Sequence, residues 1–155
     1  MLKVGQEAPA FDVTASDGKR IRLEDFRGKK NVVLYFYPKD FTRVCTTETC
    51  GFRDMYQELV TAKDTEVLGV SLDSDESHNK FAAHHKVPFP LIADKDRTLA
   101  KAYHAIGPLR GLIGIVKRVT FVIDKKGTIA AILQSELNAD THLEGVTAAL
   151  SKLVS

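Results

Sequence analysis

Features that would place this chain at a membrane, outside the cell or on nucleic acid are missing from the sequence. No apolar run approaches the roughly 20 residues that a membrane-spanning helix needs, and residues 1–7 contain no apolar signal-peptide core. The formal net charge is only +2, from 22 basic and 20 acidic side chains, which is too small to indicate nucleic acid or a membrane surface as a partner. We therefore expect a cytoplasmic protein without membrane or nucleic-acid partners.

Cysteine is also scarce, since the chain contains only Cys45 and Cys50. In a reducing cytosol such a pair is more often catalytic than structural, although cysteines are also often inert, buried, small hydrophobic residues. Two cysteines without a second cluster of ligands fall short of the usual zinc pattern. The surroundings of the pair therefore decide between a reactive and an inert role.

No internal repeat, low-complexity segment or interdomain linker interrupts the sequence. Apolar residues make up 44% of the chain and charged residues 27%, which is ordinary for a soluble protein. A length of 155 residues is enough for a full hydrophobic core. We expect a single domain over residues 1–155.

The two cysteines follow a run of residues that predicts a buried strand. Residues 31–37, NVVLYFY, are rich in β-branched and aromatic side chains and end at Pro38. Beyond the cysteines, apolar residues recur at helical spacing and predict one buried helix face; they are Phe52, Met55, Tyr56, Leu59 and Val60. Cys45 and Cys50 therefore lie where a buried strand passes into a helix.

The start of this helix favours a reactive cysteine. Thr42 is a good N-cap residue three positions before Cys45, so Cys45 falls in the first turn. Unpaired backbone N–H groups and the positive end of the helix dipole favour a thiolate there, which is the nucleophilic form of cysteine. On an ideal helix Cys50 lies about 140° around the axis and about 7.5 Å along it, with the Cα atoms roughly 8.6 Å apart. Since a disulfide needs about 7 Å or less, pairing would require the first turns to unwind.

The rest of the chain alternates strands and helices, which predicts an α/β fold with a layered sheet that contains parallel pairs. An Asp-Gly turn indicates an N-terminal hairpin within residues 11–23, and a second hairpin occurs late in the chain. The further predicted elements are strands at 66–72, 91–93, 119–123 and 128–133, and helices at 75–86, 96–103 and 141–154.

Residues 104–117 contain three glycines and a proline and are interpreted as a loop. The segment is unusually apolar for a loop, with Leu109, Leu112, Ile113, Ile115 and Val116. Packing of these side chains on the core is the simpler interpretation. The functional interpretation is an apolar wall over a substrate pocket or a docking patch for a partner.

Residues 37–54, YPKDFTRVCTTETCGFRD, closely resemble the active-site segment of peroxiredoxins. The Pro-x-x-x-Thr-x-x-Cys pattern is typical of peroxiredoxins in general. A second cysteine five residues later indicates the bacterioferritin-comigratory-protein, or peroxiredoxin Q, branch. The resemblance runs from residues 4–11 to the last helix and implies a thioredoxin-like fold with an N-terminal β-hairpin extension, in which helices flank a central mixed sheet.

The resemblance also implies roles for individual residues. Cys45 would be the peroxidatic cysteine and Cys50 the resolving cysteine, while Pro38 and Thr42 would shape the peroxide pocket. This chain departs from the branch at residues 43–44, where Arg-Val replaces the usual Pro-Gly. Neither position carries the chemistry, but the loop conformation and the ease of unwinding depend on them.

The family's active-site arginine lies in an Arg-x-x-Phe-x-Ile-Asp element, which is residues 118–124 here, so Arg118 is the candidate. It would favour the Cys45 thiolate and bind the peroxide oxygens, and Glu48 would orient it. No metal or organic cofactor is implied. The implied partners are hydrogen peroxide or an organic hydroperoxide as substrate and thioredoxin or a similar dithiol as reductant, and the implied oligomeric state is a monomer.

Three other interpretations stay open at this point. A disulfide oxidoreductase of the same fold usually has a Cys-x-x-Cys motif, whereas four residues separate the cysteines here. A non-catalytic binding module would have thiols of ordinary reactivity and form no disulfide with peroxide. A metal-binding protein would need further ligands near the cysteine pair.

Overall fold

A five-stranded mixed sheet forms the centre of the protein, in a computed structural model that describes residues 2–109 and 112–153. In spatial order the strands are β5 (Leu91–Ala93), β4 (Thr65–Ser71), β3 (Asn31–Phe36), β8 (Val119–Ile123) and β9 (Ile129–Gln134). β3 pairs in parallel with β4 and β4 with β5, whereas β8 runs antiparallel to both β3 and β9. The predicted mixed sheet is confirmed, and the observed strand bounds differ from the predicted ones by at most one residue.

The central strand β3 is buried along its whole length. Val32, Leu34 and Phe36 pack into the core on one face of the sheet, and Val33 and Tyr35 pack into the core on the other face. Because elements cover both faces, no residue of β3 meets solvent, and the strand appears in the sequence as a continuous apolar run without alternation.

The covering elements are divided between the two faces. One face carries α1 (Arg43–Ala62), α2 (Asp75–His85) and α4 (Ala139–Leu153). The other face carries α3 (Thr98–Ala102), a 3₁₀ helix (Leu23–Phe26) and the N-terminal hairpin of β1 (Asp12–Thr14) and β2 (Arg20–Arg22). The predicted helices and the N-terminal hairpin are thus confirmed. Among the helices in the described ranges, none is long and apolar enough to cross a membrane.

The prediction of a loop at residues 104–117 is wrong. The chain there forms a separate two-stranded antiparallel sheet of β6 (Ile106–Leu109) and β7 (Leu112–Val116). The leucine, isoleucine and valine residues of the segment favour extended strands. A register shift between Gly107 and Leu109 accommodates the glycine and proline that indicate a loop in the sequence.

The apolar side chains of this second sheet are only partly described. Val116 is buried in the core, as the packing interpretation expects at that position. The side chains of Leu109, Leu112, Ile113 and Ile115 lie outside the described part of the chain. The two interpretations of those four residues therefore stay predictions.

Candidate active site

Cys45 lies at the buried start of α1, close to the end of the central strand. β3 ends at Phe36 and α1 begins at Arg43, so Cys45 is the third residue of the helix, and its side chain is fully buried. It packs in the same apolar cluster as Tyr35 of β3 and Phe52 of α1. The predicted position of this cysteine in the first helical turn is therefore the observed one.

Thr42 occupies the N-cap position of α1, but its side chain does not cap the helix. Its backbone is extended, as at other N-caps, and its carbonyl accepts from the Thr46 N–H at 2.8 Å. Its hydroxyl instead donates to the Lys39 carbonyl at 2.9 Å. Pro38, earlier in the same connection, is half-buried. Because Thr42 leaves the first-turn N–H groups uncapped, the positive end of the helix dipole stays available to Cys45.

Arg118 supplies the positive charge at Cys45. Its side chain is almost fully buried, and Nη1 lies 2.9 Å from the Cys45 sulfur. Its backbone N–H donates to Oε1 of Glu136 at 3.2 Å, and its Nε donates to the Glu136 carbonyl at 3.1 Å. These bonds hold the guanidinium against the connection between β9 and α4. The guanidinium is thus a buried cation in direct contact with the Cys45 sulfur.

Glu48 follows Cys45 by one helical turn and is also fully buried. Its Oε1 lies 3.9 Å from Nη1 of Arg118, and its Oε2 lies 3.4 Å from Nδ1 of His142. Within the described ranges, however, neither oxygen accepts a hydrogen bond. Burial raises the pKa of Glu48 to about 8, and the charge of Arg118 offsets only part of that rise. The structure brings Glu48 to the arginine, as predicted, but the hydrogen bonds that hold the arginine go to Glu136.

His142 brings α4 into this pocket. Its side chain is fully buried, with Nε2 2.9 Å from the Ser135 carbonyl oxygen and Nδ1 2.8 Å from the Thr120 hydroxyl oxygen. Burial lowers the pKa of His142, and the bond to the Ser135 carbonyl opposes that change. The pocket therefore favours a neutral imidazole.

A second buried carboxylate, Asp40, holds the connection between β3 and α1. Its Oδ1 accepts from the Tyr37 hydroxyl at 2.6 Å, and its Oδ2 accepts from the Ser77 hydroxyl at 2.9 Å and lies 2.7 Å from Nδ1 of His78. The Asp40 N–H donates to the Asp73 carboxylate at 2.8 Å. The carboxylates and the imidazole lie close enough to hold a metal ion, but these hydrogen bonds already engage them. We interpret the cluster as a structural clamp on the connection.

Cys50 is half-buried in α1, which runs unbroken through both cysteines, and both carry free thiols. The neighbouring Thr49 hydroxyl shares a 2.9 Å hydrogen bond with the Tyr35 hydroxyl. On its other side, Gly51 packs directly against Leu143 of α4, where any side chain at position 51 would collide with the leucine. The turn around Cys50 is thus held to both the sheet and α4.

A groove of about 290 Å³ opens beside the first turn of α1. Arg43, Val44 and Thr47 line one part of it, and residues 137–140 line another. The first of these residues, Leu137, is 87% exposed. The two positions at which the chain departs from Pro-Gly therefore contribute directly to the surface next to Cys45.

Glu136, His142 and the contact of Asp40 with His78 were not found from the sequence. His142 has a detectable signal, because it precedes Val146 by four residues and so falls on the apolar stripe of α4. A polar residue in such a stripe needs a buried partner. Glu136 and Asp40 lie in connections between elements, where acidic residues are usually solvated, so neither has a comparable signal.

The sequence profile of the AhpC/TSA family matches residues 4–132. Peroxiredoxin Bcp of Bacillus subtilis is 40% identical over 132 residues, which cover 83% of this chain and 82% of that protein. Chloroplastic peroxiredoxin Q of Populus jackii is 36% identical over 149 residues, which cover 96% of this chain and 68% of that protein. These similarities extend well beyond the cysteine segment.

A solved structure is similar over the same range. The bacterioferritin comigratory protein of Xanthomonas campestris, whose structures address its alkyl peroxide reduction activity, superposes with a TM-score of 0.88 at 29% identity. The superposition covers 99% of this chain and 100% of that one. The similarity confirms the predicted thioredoxin-like fold with its central mixed sheet.

Proposed function

The chain belongs to the AhpC/TSA family and, within it, to the Bcp and peroxiredoxin Q peroxiredoxins, which are peroxidases; from that premise we propose that Cys45 attacks the hydroperoxide and that Cys50 resolves the product. One observation carries the proposal above all, namely that Nη1 of Arg118 lies 2.9 Å from the Cys45 sulfur in a buried site. An inert thiol needs no cation, and burying a cation costs free energy unless a negative charge accompanies it.

In the first step, the Cys45 thiolate attacks the terminal oxygen of the hydroperoxide. The O–O bond breaks, the sulfur is oxidised to a sulfenic acid, and the leaving alkoxide takes up a proton to become an alcohol. Arg118 donates hydrogen bonds to the peroxide oxygens as negative charge develops on the leaving oxygen. Glu48 is the positioning residue for this arginine.

Thr42 and Pro38 complete the peroxide pocket in this proposal. The Thr42 hydroxyl exchanges its bond to the Lys39 carbonyl for one to the peroxide or the thiolate. Pro38 has no N–H group to donate and shields the sulfenic acid from water. Both residues lie in the connection that the Asp40 clamp holds in place.

The second step requires a change of backbone conformation. The first turns of α1 unwind, the Cys50 thiol attacks the sulfur of the Cys45 sulfenic acid, a disulfide forms and water leaves. Unwinding is needed because the two cysteines lie in a continuous helix, in which their Cα atoms are too far apart for a disulfide. The missing side-chain cap at Thr42 lowers the cost of unwinding, since such a cap typically stabilises a helix by about 1 kcal/mol.

An external dithiol of the thioredoxin type then reduces the disulfide and restores both thiols. Hydrogen peroxide and organic hydroperoxides are the proposed substrates, and the groove beside Val44 and Leu137 offers apolar surface for an alkyl group. The X. campestris relative, which was studied for alkyl peroxide reduction, supports that choice. The relatives include a bacterial and a chloroplast protein, so the cytoplasmic location stays a prediction, as does the monomeric state.

The experiment that tests the proposal is a peroxidase assay coupled to thioredoxin, with the Cys45→Ser and Cys50→Ser variants side by side. We expect Cys45→Ser to abolish turnover, because it removes the nucleophile. Cys50→Ser should consume about one peroxide per chain and then stop, because the sulfenic acid forms without being resolved. Full thioredoxin-dependent turnover by Cys45→Ser would contradict the proposal.

A further inference from the structure

The carboxyl group of Glu48 is in an unusual position for an acidic residue. It is fully buried, and within residues 2–109 and 112–153 it accepts no hydrogen bond. An ionised carboxylate in such a place would carry a large desolvation penalty. Nδ1 of His142 lies 3.4 Å from Oε2 of Glu48.

The contacts of His142 show which of its nitrogen atoms carries a proton. A carbonyl oxygen can only accept a hydrogen bond, so the 2.9 Å contact with the Ser135 carbonyl requires a proton on Nε2. In the neutral imidazole Nδ1 then carries a lone pair. The Thr120 hydroxyl, 2.8 Å from Nδ1, can donate to that lone pair, but it leaves an ionised Glu48 without a donor, because Oε2 would face Nδ1 across 3.4 Å with no proton between them. A single proton on either atom removes this conflict.

We propose that Glu48 and His142 hold one proton between them, so that the pair is uncharged as a whole and leaves the positive charge of Arg118 to Cys45. The proton lies either on Oε2, which then donates to Nδ1, or on Nδ1, which then faces the carboxylate. In both forms His142 is a positioning residue of the active site, although it belongs to the C-terminal helix. This inference rests on the proposed function for its catalytic meaning but not for its test.

The other charged and titratable groups around Glu48 agree with this assignment. Arg118 is the nearby cation, at 3.9 Å from Oε1. The carboxylate of Glu136 accepts from the backbone N–H of that arginine and its charge also raises the pKa of Glu48, while Tyr35 of β3 stays neutral because burial raises its pKa well above the usual value. Burial also raises the pKa of Glu48 to about 8 and lowers that of His142, so the proton belongs mainly to the carboxyl group.

The shared proton has a consequence for the reaction. An ionised Glu48 would compete with the Cys45 thiolate for Arg118, because both anions would then lie within reach of one guanidinium. By linkage, the negative charge on Cys45 also favours the proton on Glu48. Removing the Cys45 charge should therefore make Glu48 a stronger acid.

The test is infrared spectroscopy of the reduced protein combined with ¹⁵N NMR of the His142 ring, from pH 6 to pH 10. We expect a carboxylic-acid carbonyl band at pH 6 that fades with a midpoint near the Glu48 pKa of about 8 and that is missing in Glu48→Gln. The His142 signals should show a neutral ring protonated on Nε2. The matched control is Glu144→Gln, which makes the same chemical change at an exposed carboxylate of α4, the helix that carries His142, and should keep the band.

The Cys45→Ser variant tests the link to the catalytic thiol. We expect the midpoint of the Glu48 band to fall by about one pH unit, which is the lower end of the effect of a nearby charge. A residue that only fills space would not respond in this way. An unchanged midpoint would overturn the claim that the shared proton leaves Arg118 to Cys45.

The two spectra together decide whether one proton is shared. A carboxylic acid with a neutral ring supports the proposal, and so does a carboxylate with a doubly protonated ring. At pH 6, below the expected midpoint, a carboxylate with a neutral ring, or a carboxylic acid with a doubly protonated ring, would overturn it. None of these outcomes depends on peroxide turnover, so failure of this inference is distinguishable from failure of the proposed peroxidase function.

Discussion

Two buried carboxylates lie on either side of Cys45, and their environments are opposite. Asp40 accepts hydrogen bonds from the Tyr37 and Ser77 hydroxyls and contacts the His78 ring. Glu48 accepts none in the described ranges. A buried acid with its hydrogen bonds satisfied stabilises structure, whereas a buried acid without them, beside a reactive group, is typical of a functional site. The comparison separates the clamp on the active-site connection from the chemistry that it supports.

The difference follows from where each residue lies on the chain. Asp40 belongs to an irregular connection, whose backbone can place a carboxylate among donors from β3 and α2. Glu48 lies inside α1, where intrahelical bonds use the backbone N–H groups. The Glu48 carboxyl group therefore depends on side chains from other elements for polar partners, and Arg118 and His142 lie beside it.

The largest predicted effect is on the rate of reaction with peroxide, and it comes from removing Arg118, the cation beside Glu48. Arg118→Ala should lower the rate constant for reaction with peroxide by roughly 100-fold or more, which is the usual loss when one charge-stabilising donor is removed. Stopped-flow measurement of the sulfenic acid yield gives this rate. Arg118→Lys, which keeps the charge without the planar fork, should retain part of it. A wild-type rate in Arg118→Ala would show that Arg118 does not assist the reaction with peroxide. Glu48 could then not act on the reaction through this arginine.

The next effect concerns the clamp. Asp40→Ala should lower the free energy of unfolding by about 3 kcal/mol, because it leaves buried partners without their hydrogen bonds. Urea denaturation measures the change. The matched control is Asp54→Ala, which removes an exposed acid paired with Arg53 and should cost less than about 1 kcal/mol. Equal losses in the two variants would remove the basis for calling Asp40 a clamp.

The third effect is expected at Glu48, and it depends on pH. Since the pKa of Glu48 rises from 4.5 to about 8 on folding, the folded state binds more protons than the unfolded state between these values. The stability of the wild type should therefore fall as pH rises through this window. Glu48→Gln removes that loss, so its stability relative to the wild type should increase from pH 5 to pH 8 and then level off. Denaturation series at several pH values test this, and a difference that shrinks with rising pH would mean that Glu48 is ionised in the fold.

The sequence predicts what depends on local pattern. The apolar run before Pro38 predicts β3, and helical spacing after the cysteines predicts α1 with Cys45 in its first turn, both as observed. The same reasoning fails at residues 104–117. Glycine and proline in this segment indicate a loop, but its β-branched and leucine residues form strands once β6 and β7 pair with each other. Local pattern also identifies Thr42 as the N-cap but not the partner of its hydroxyl.

The features that could not be predicted depend on contacts between distant parts of the chain. Glu136 holds Arg118 through a connection that approaches it only in the folded protein, and His142 meets Glu48 across two packed helices. Neither contact has a fixed spacing in sequence. The resemblance to peroxiredoxins predicts Arg118 and Glu48 as site residues, and the structure brings both of them to Cys45, while their roles stay proposals.

The most direct test of the central claim is a thiol count with intact mass after one equivalent of hydrogen peroxide is added to the reduced protein. We expect rapid loss of both thiols, a mass decrease of two hydrogen atoms and no covalent dimer, as an intramolecular bond between Cys45 and Cys50 requires. Loss of one thiol with a gain of one oxygen atom would contradict the role of Cys50. No reaction over minutes would contradict the role of Cys45 as well.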